Sequence, residues 1–349
     1  MAVELSYHNL VENNTVNGKP LIYLEDAFDY NVSHAGQVIL VNCDNIVIEG
    51  LDLSNATIGV QMDQTKESVI ANNTIRNNRA GITLWYSMYN TIAQNDVALN
   101  DWGGIWLYGS PNNTIIRNNL TANSGYGIYC QENCSIIENT IARNSYEGIY
   151  IDSKLGNNRI YRNNLVDNNI QVLTIGINPF DDGVEGNYWS DYNGTDSDHD
   201  GIGDSPYIID ANNQDNNPLM GMFSDFTATP EYHVQIICNS TVSNFQFNGT
   251  AITFNVSGEN GTTGFCRICI PTALMNVTYK VFINGTEVSH TLLPCSNSTH
   301  SHLYFTYNHS TQEVIIIPEF PSLIILPLFM IATLLAVIVY RRKHLSTRR

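Results

Sequence analysis

The sequence predicts an all-β protein, in which a right-handed, single-stranded parallel β-helix precedes a small antiparallel β-sandwich and one C-terminal transmembrane helix. Three observations support this prediction. Short alternating strands separated by turn dipeptides lie between residues 231 and 317, and an almost uncharged stretch at 321–340 precedes a basic C-terminus. A Gly-Ile start recurs at Gly81, Gly104, Gly127 and Gly148. A repeat of this length cannot bury its apolar face alone, so each copy is predicted to be one coil of a solenoid.

Two motifs stay in phase along the coils. The Gly-Ile starts are separated by 23, 23 and 21 residues, and an Ile-x-x-Asn-x-apolar motif runs between them. Alternation along a strand points the Ile and Leu side chains inward, where each coil packs on its neighbours. The Asn residues are predicted to form a ladder at a corner, because Asn tolerates the left-handed conformation and can bond to the same Asn one coil away. The ladder consists of Asn73, Asn95, Asn118, Asn139 and Asn163.

The repeat extends beyond its clearest copies. Gly59-Val60 lies 22 residues before Gly81-Ile82, so coils are predicted upstream of the Gly-Ile series. Downstream the repeat continues to residues 170–173, with Asn169 in the place of glycine. Seven or eight coils are therefore predicted.

The charge balance narrows the choice of partners. The chain has 16 basic and 33 acidic residues, a net charge of −17, and only 14% of its residues are charged. Such a surface repels phosphate backbones, so we expect no nucleic-acid partner. Cations, or sugars bound through neutral and aromatic groups, suit it better.

The outward-pointing residues of the coils supply the candidate binding site. The second and fourth residues after each glycine form two adjacent rows, with about 4.8 Å between coils. Aromatic rings beside polar groups suit a pyranose chain. The alternative is an aromatic ladder that only stabilises the sheet. The candidate ligand-binding residues are Thr83, Trp85, Trp106, Tyr108, Tyr129, Gln131, Tyr150 and Asp152.

Few residues on these rows could act as catalytic groups. A lyase or epimerase needs a base and a cation near a carboxylate, and a hydrolase needs two opposed carboxylates. Asp152 with Lys154 is the nearest approach, and an ordinary surface pair is the alternative reading. Asp63 is four coils from Asp152, about 19 Å, which is beyond the reach of a hydrolase pair. We therefore expect a binding protein, with a carbohydrate-active enzyme as the alternative.

An acidic loop after the coils predicts a structural calcium site. Asp stands at positions 1, 3, 5 and 9 of the loop, with a glycine at position 6 and a backbone carbonyl at position 7, which is the order of oxygen ligands in a calcium loop. Position 12 is Tyr207 where an EF-hand has Glu, so the site resembles a structural loop and not a sensor. A solvated acidic loop is the alternative. The predicted ligands are Asp196, Asp198, Asp200, Ile202 and Asp204.

The segment that follows is predicted to be an immunoglobulin-like sandwich. Seven strands are expected, at 232–237, 244–247, 251–256, 265–270, 276–283, 302–307 and 313–317. Outside the cell its four cysteines would form one or two disulfides, and a zinc site is the alternative. These cysteines are Cys238, Cys266, Cys269 and Cys295.

The C-terminus predicts a location on the extracellular face of the cell membrane. Residues 321–340 are long enough to cross a bilayer as a single-pass anchor, and the basic residues after them place the tail in the cytoplasm. Asn-x-Ser/Thr sites upstream agree with an exterior glycoprotein. Residues 1–5 lack the features of a secretory signal, so we expect a chain truncated at its N-terminus or a start codon assigned too late.

Particular phrases resemble the NosD-type parallel β-helix proteins. They are GKP at 18–20, GQVILVNC at 36–43, the Gly-Ile coils, and GNYWSDY at 186–192. The resemblance covers residues 13–220 and implies a β-helix of the carbohydrate-binding and sugar-hydrolysis type. It also implies a role as an accessory protein in the maturation of a copper enzyme, which would require ligands of its own. His, Met and Cys do not cluster on the coils, so the sequence gives this copper role little support.

The last 32 residues resemble the PEF-type sorting signals of archaeal surface proteins. The resemblance rests on Pro318-Glu319-Phe320-Pro321, the apolar stretch and the Arg-rich tail. It implies processing by an archaeal sortase-like enzyme, and simple retention as a membrane anchor is the alternative. The predicted regions are a β-helix at 1–186, the calcium-type loop and linker at 187–222, the sandwich at 223–317 and the anchor at 318–349. The predicted function is the binding of a glycan or a surface partner.

Overall fold

A computed structural model describes residues 9–275 and 278–319. Throughout these residues the regular structure is β, as the sequence predicts. The chain divides into two compact units. The first extends to Asp225 and includes Ile236–Asn239, and the second contains Phe226–Gln235 and the residues from Ser240 onward.

The first unit is a β-solenoid of about seven coils, which confirms the predicted β-helix. Three sheets run along it, with nine, seven and six strands. The pairing is parallel, apart from the first hairpin at Thr15–Val16. Sheet A contains Thr15–Val16, Lys19–Glu25, Gln37–Val41, Ile58–Asp63, Ala80–Trp85, Gly103–Tyr108, Tyr126–Cys130, Glu147–Ile151 and Ile170–Thr174.

Sheets B and C form the other two sides of the coils. Sheet B contains Phe28–Val32, Asp44–Glu49, Val69–Ala71, Thr91–Ala93, Thr114–Ile116, Ser135–Ile137 and Arg159–Tyr161. Sheet C contains Thr74–Arg76, Asp96–Ala98, Asn119–Thr121, Thr140–Ala142, Asn164–Val166 and Tyr188–Trp189. Most of these strands have three residues, because a corner ends each of them.

The interior of the solenoid is a single apolar column. From Gln37–Val41 to Glu147–Ile151, the two inward residues of each sheet A strand are almost completely buried, and so are the apolar residues of the Ile-x-x-Asn motif. In sheet A, Ile82 pairs with Ile105, and Ile105 pairs with Ile128. Each buried side chain stabilises the fold by roughly 1.5–3 kcal/mol before entropy is subtracted. The column forms only when several coils are stacked.

The predicted Asn ladder is confirmed, and it continues to Asn187. The Nδ2 group of Asn73 donates to Oδ1 of Asn95 at 3.0 Å, and the contact repeats from Asn163 to Asn187 at 2.9 Å. The predicted left-handed conformation belongs to a different residue, the one before each ladder Asn. Examples are Asn72, at φ 54°, and residues 94, 117, 138 and 162 at equivalent positions. The ladder amides thereby point into the corner and stay buried.

A second ladder runs along the next corner. It consists of Asn78, Asn100, Asn123, Asn144 and Asn168, all buried. The Nδ2 group of Asn100 donates to Oδ1 of Asn123 at 2.9 Å, and the same bond joins the following pairs. These five Asn were visible in the sequence at the coil period but were not assigned a role.

The last coil differs from the sequence prediction in register. Ile149 pairs with Val172, and Glu147 pairs with Ile170. Gln171 therefore occupies the glycine position, and the assignment of Asn169 to it was wrong. Ile170 is 44% exposed and lies outside the core. The cause is that this coil is two residues longer than the preceding one. The apolar residues at 170, 172 and 173 fit either register, so the sequence did not reveal the longer coil.

The GNYWSDY segment ends the β-helix. A short antiparallel hairpin, Tyr207–Ile208 with Gln214–Asp215, follows it. The carboxylate of Asp215 accepts the backbone N–H of Asn187 at 2.7 Å and Nε1–H of Trp189 at 2.8 Å. Trp189 stacks on Tyr207 with ring centroids 4.1 Å apart. Asp215 thus takes the acceptor position that the next Asn of the ladder would have filled.

The second unit contains antiparallel sheets. One sheet has the spatial order Thr241–Phe247, Ile252–Ser257, Gln312–Pro318, Tyr279–Ile283 and Thr286–Val288. Elsewhere Thr263–Pro271 pairs with His300–Asn308, which pairs with Thr291–Leu292. Met222–Thr229 and Tyr232–Cys238 contain residues of both units. Three strands were not expected from the sequence: Met222–Thr229, Thr286–Val288 and Thr291–Leu292.

All seven cysteines lie in the described ranges, and the disulfides expected in the second half stay a prediction. Cys266 is buried and lies 3.6 Å from the hydroxyl of Tyr307, whereas Cys269 contacts His302. Alternation along their strand sends the two thiols to opposite faces. Within the same ranges, the cysteines also do not converge as a group of three metal ligands.

The predicted membrane span at 321–340 lies outside the described residues, and so does the predicted sorting segment from position 320 onward. In residues 9–275 and 278–319, no helix is long and apolar enough to cross a membrane.

Candidate functional site

The predicted outward rows lie in register on sheet A. Gln61 pairs with Thr83, Thr83 with Trp106, Trp106 with Tyr129, and Tyr129 with Tyr150. In the second row Asp63 pairs with Trp85, and Trp85 with Tyr108. Parallel pairing brings equivalent side chains of successive coils together, so the rings meet without any long-range loop.

The rings form two groups on neighbouring coils, Trp85 with Tyr108 and a larger group around Tyr126, which together we call the aromatic face. Trp106 stacks on Tyr129 with centroids 4.4 Å apart, and Trp85 lies 5.2 Å from Tyr108. Tyr126 lies 5.9 Å from Trp106. The aromatic face is Trp85, Trp106, Tyr108, Tyr126, Tyr129, Tyr146 and Tyr150.

The sequence pattern did not predict that Tyr126 and Tyr146 belong to the aromatic face. Tyr126 contacts Tyr146 at 5.7 Å and Tyr150 at 5.4 Å, so it joins the rings of three coils. Alternation counted back from Ile128 would point Tyr126 inward, but it stands at the start of its strand, where the chain leaves the corner. Their positions, directly before Gly127 and two residues before Gly148, were the available signal.

The aromatic face is unevenly exposed. Tyr108 is 38% exposed and Tyr146 is 55% exposed, whereas Tyr129 retains 6% of its surface and Thr83 retains 7%. Trp85, Trp106 and Tyr150 are half-buried, as are Gln131 and Asp152. Tyr129 therefore stabilises the sheet by packing under Trp106, as in an aromatic ladder. A ligand can contact the exposed rings of Tyr108 and Tyr146.

Polar groups fix the outer end of the aromatic face. The hydroxyl of Tyr129 donates to Oδ2 of Asp152 at 2.9 Å, and Gln131 accepts the backbone N–H of Gly109 at 2.7 Å. Burial, and then the negative charge of Asp152, raises the pKa of Tyr129 well above its usual value. Tyr129 therefore stays protonated as the donor in this contact.

The structure does not pair the two candidate catalytic residues. Lys154 is exposed and makes no ion pair with Asp152 in the described part of the chain, while the Asp152 carboxylate accepts from Tyr129. Asp63 is four strands away in its row, and burial raises its pKa. The base and cation that a lyase or epimerase requires are not brought together here.

Three buried polar atoms on this face have no hydrogen-bond partner within the described residues. They are Oδ1 of Asp63, Oγ1 of Thr83 and Nε1 of Trp106. Buried polar groups are nearly always paired, and leaving one unpaired costs about 1–3 kcal/mol. Thr83 and Trp106 are neighbours in one row, and Asp63 lies in the adjacent row. The unpaired atoms therefore cluster where the rings begin.

The acidic loop brings together three of the five predicted calcium ligands. Carboxylate oxygens of Asp196, Asp198 and Asp200 lie within 4.8 Å of one another. Asp204 lies outside this group and accepts from the backbone N–H of Ser197 at 2.9 Å, which lowers the pKa of Asp204. Ile202 is 9% exposed and forms an isolated bridge with Leu219. The loop is thereby attached to the end of the β-helix.

A copper centre is not supported by the thiols of the β-helix. Cys130 and Cys134 are buried inside the coils, and burial raises the pKa of both, that of Cys134 to about 11. A metal-binding thiol must ionise, which these surroundings oppose. In the described ranges, the Asp loop is the place where three potential metal-ligating groups meet.

Comparison with known proteins places these features in context. A search of curated proteins gave no match. Among solved structures, a mutant of the periplasmic alginate epimerase AlgG is 21% identical with a TM-score of 0.41, and the alignment covers 45% of each chain. The chain thus spans less than half the length of that enzyme.

Two phage proteins align over more of the chain. The Dettilon tailspike protein is 14% identical, with a TM-score of 0.29, over 80% of this chain and 64% of the other. The gp49 tailspike of Acinetobacter baumannii bacteriophage Fri1, a capsular polysaccharide depolymerase, is 9% identical, with a TM-score of 0.31, over 82% of this chain and 63% of the other. At these values the solved structures carry no argument about activity.

The family comparison is decisive. The family model described as periplasmic copper-binding protein (NosD) matches residues 6–194, more than half of the 349 residues. The matched region contains the coils, both Asn ladders and the GNYWSDY segment that ends at residue 192. The chain therefore belongs to the NosD family.

Proposed function

We propose that the protein binds a glycan through the aromatic face of its β-helix, on the outer side of the cell membrane. The observation that carries this proposal is the set of rings from successive coils, with the polar side chains of Gln131 and Asp152 beside them. Sugars stack their apolar C–H faces on aromatic rings and hydrogen-bond through hydroxyls, so they match both halves of this surface. A protein surface partner that uses the same rings is the alternative occupant.

An exterior location fits the family and the C-terminal sequence. The family is described as periplasmic, and residues 321–340 followed by basic residues have the pattern of a single-pass anchor with a cytoplasmic tail. Removal of this anchor by an archaeal sortase-like enzyme is part of the same proposal. Extraction of the protein with the membrane fraction would test the location at the membrane. Its molecular mass in cells would test the removal of the anchor, which should leave a chain shorter than 349 residues.

Binding is favoured over catalysis by the site itself. The carboxylate of Asp152 is bonded to Tyr129, and Lys154 stands apart from it. A carbohydrate-active enzyme of the lyase, epimerase or hydrolase type is the second candidate. Turnover of an acidic polysaccharide by the purified chain, lost in Asp152→Asn, would establish it in place of simple binding.

A glycan array with the full chain tests the proposal directly. We expect the unmodified protein to bind at least one glycan, and Tyr108→Ala or Tyr146→Ala to weaken that binding by about tenfold, the loss expected on truncating a central aromatic contact. Both rings are well exposed, so their removal spares the core.

Tyr30→Ala is the matched control, because Tyr30 is 48% exposed on sheet B, away from the aromatic face. It should bind as the unmodified protein does. An array without binding, or equal loss in all three variants, would refute the proposal.

A further inference from the structure

We propose that the aromatic face selects a sugar carrying a protonated amine, because its rings lie beside carboxylates, and the described strands that form the site carry no basic side chain. This inference rests on the proposed function and adds the chemical class of the ligand.

The rings supply the first part of a cation site. Tyr126 lies within 5.4–6.1 Å of four other rings, centroid to centroid: Trp106, Tyr129, Tyr146 and Tyr150. The face of an aromatic ring is negative and attracts a cation within about 6 Å. The β-helix already contains such a contact, since the guanidinium of Arg79 lies 3.6 Å from the ring centroid of Trp102.

Two carboxylates flank this cluster. Glu147 begins the strand that pairs with the strand of Tyr126, and Asp152 follows directly after its end. After burial, the charges of Glu147 and Asp152 are among the causes that raise the pKa of Tyr126 and of Tyr150. Both carboxylates therefore act electrostatically on the same two rings.

No positive side chain offsets these charges on the strands of the site. The six strands from Ile58–Asp63 to Ile170–Thr174 contain the acids Asp63 and Glu147 and no Lys, Arg or His. Arg79, directly before the strand Ala80–Trp85, lies over the ring of Trp102 at 3.6 Å. At the corner between sheets B and C, Arg117 bonds to Glu138 at 2.7 Å and Arg162 to Glu185 at 2.8 Å. Lys154 is exposed, two residues beyond Asp152.

Charge complementarity then decides between ligand classes. An acidic sugar would be repelled by the site and by the net charge of −17. A neutral sugar would gain ring stacking and hydrogen bonds, without any attraction between opposite charges. A protonated amino sugar gains stacking, attraction to the ring faces and attraction to Glu147 and Asp152 together.

The test is calorimetric titration of the full chain with three oligosaccharides of equal length. They are a glucosamine hexamer, its fully N-acetylated form and a galacturonate hexamer. We expect the free-amine hexamer to bind about tenfold more tightly than the acetylated form, and the galacturonate to bind weakest. Glu147→Gln and Asp152→Asn should each reduce this preference for the free-amine hexamer by about threefold to fivefold.

Glu67→Gln is the matched control, because Glu67 is exposed on the same β-helix, outside the aromatic face. It changes the net charge by the same amount and should keep the preference. Equal or tighter binding of the acetylated hexamer would overturn the inference while the proposed glycan function stands. Equal loss in Glu67→Gln would also overturn it, because net charge alone would then explain the preference. Absence of binding to these hexamers and to a glycan array would overturn both.

Discussion

The ladder asparagines join adjacent coils through both their side chains and the backbone. Oδ1 of Asn118 accepts from the backbone N–H and the Nδ2 group of Asn95, and its own Nδ2 group donates to the carbonyl of Ile92 and to Asn139. Every one of these groups is buried, so each depends on its neighbour for a hydrogen bond. The ladder is therefore a chain of mutually dependent contacts.

Asn118→Ala should destabilise the β-helix by about 2–4 kcal/mol, because it leaves buried donors and acceptors unpaired on two neighbouring coils. The thermal melting temperature would measure this loss. Asn119→Ala is the control, since Asn119 is exposed and makes a single side-chain bond, to Asp96 at 3.1 Å. Equal effects of the two substitutions would show that the ladder contributes nothing beyond ordinary surface contacts.

Asp215 makes the stability of the β-helix depend on pH. Burial raises the pKa of its carboxyl to about 6 from 3.8, although three N–H donors oppose the shift. Because the folded-state pKa is the higher one, the stabilisation is fully present below about pH 4 and is lost as the pH rises through about 6. The shift corresponds to about 3 kcal/mol.

We expect the melting temperature of the unmodified protein, relative to that of Asp215→Asn, to rise as the pH falls from 7 to 5. The variant lacks the titrating group, so subtracting its profile removes the contribution of all other groups. Parallel profiles would contradict the assigned pKa.

At the scale of elements, the Asp loop is the place where a metal would change stability. Asp196 and Asp200 already accept backbone N–H groups within the loop, at 3.0 and 2.8 Å. Asp198 is exposed and makes no such bond in the described structure, so its carboxylate is free for a cation. Calcium binding stays a prediction from the spacing of the aspartates.

If calcium binds, saturating it at about 100 times its Kd should stabilise the folded protein by about 2.7 kcal/mol, and a chelator should reverse the effect. Asp198→Asn should lose the response to calcium and match the unmodified protein when metal is removed. A melting temperature that is unaffected by calcium and by chelator would refute the predicted site.

The end of the β-helix explains the GNYWSDY segment as a structural element. A Cβ at Gly186 would fall 1.8 Å from Oδ1 of Asp215, so only glycine lets the carboxylate approach the last ladder position. Trp189 donates to that carboxylate and stacks on Tyr207, whose hydroxyl bonds to Asp191. The segment thereby closes the apolar column where no further coil covers it.

At the scale of the molecule, the coil period and inward alternation predicted most of the β-helix. These features could be read from the sequence because each coil meets only its neighbours, so contacts repeat at a constant spacing. The prediction failed where the spacing changed, at Gln171. In the second half no period exists, and three strands, two of them short, were not expected.

The sequence predicted which residues of the candidate site align in rows, but it did not predict which of their side chains are exposed. The rows at Thr83–Trp106–Tyr129 and Trp85–Tyr108 followed from alternation and register. The burial of Tyr129 and the inclusion of Tyr126 and Tyr146 could not be derived, because they depend on how each strand leaves its corner.

The sequence by itself determined the solenoid, its apolar column, its first Asn ladder and the alignment of the outward residues, because all four follow from a local period. Only the tertiary structure decided which rings remain exposed and that Asp152 accepts a hydrogen bond from Tyr129. It also decided that Asp215 completes the ladder. These properties depend on corner geometry and on residues far apart in the chain, which no short-range pattern encodes.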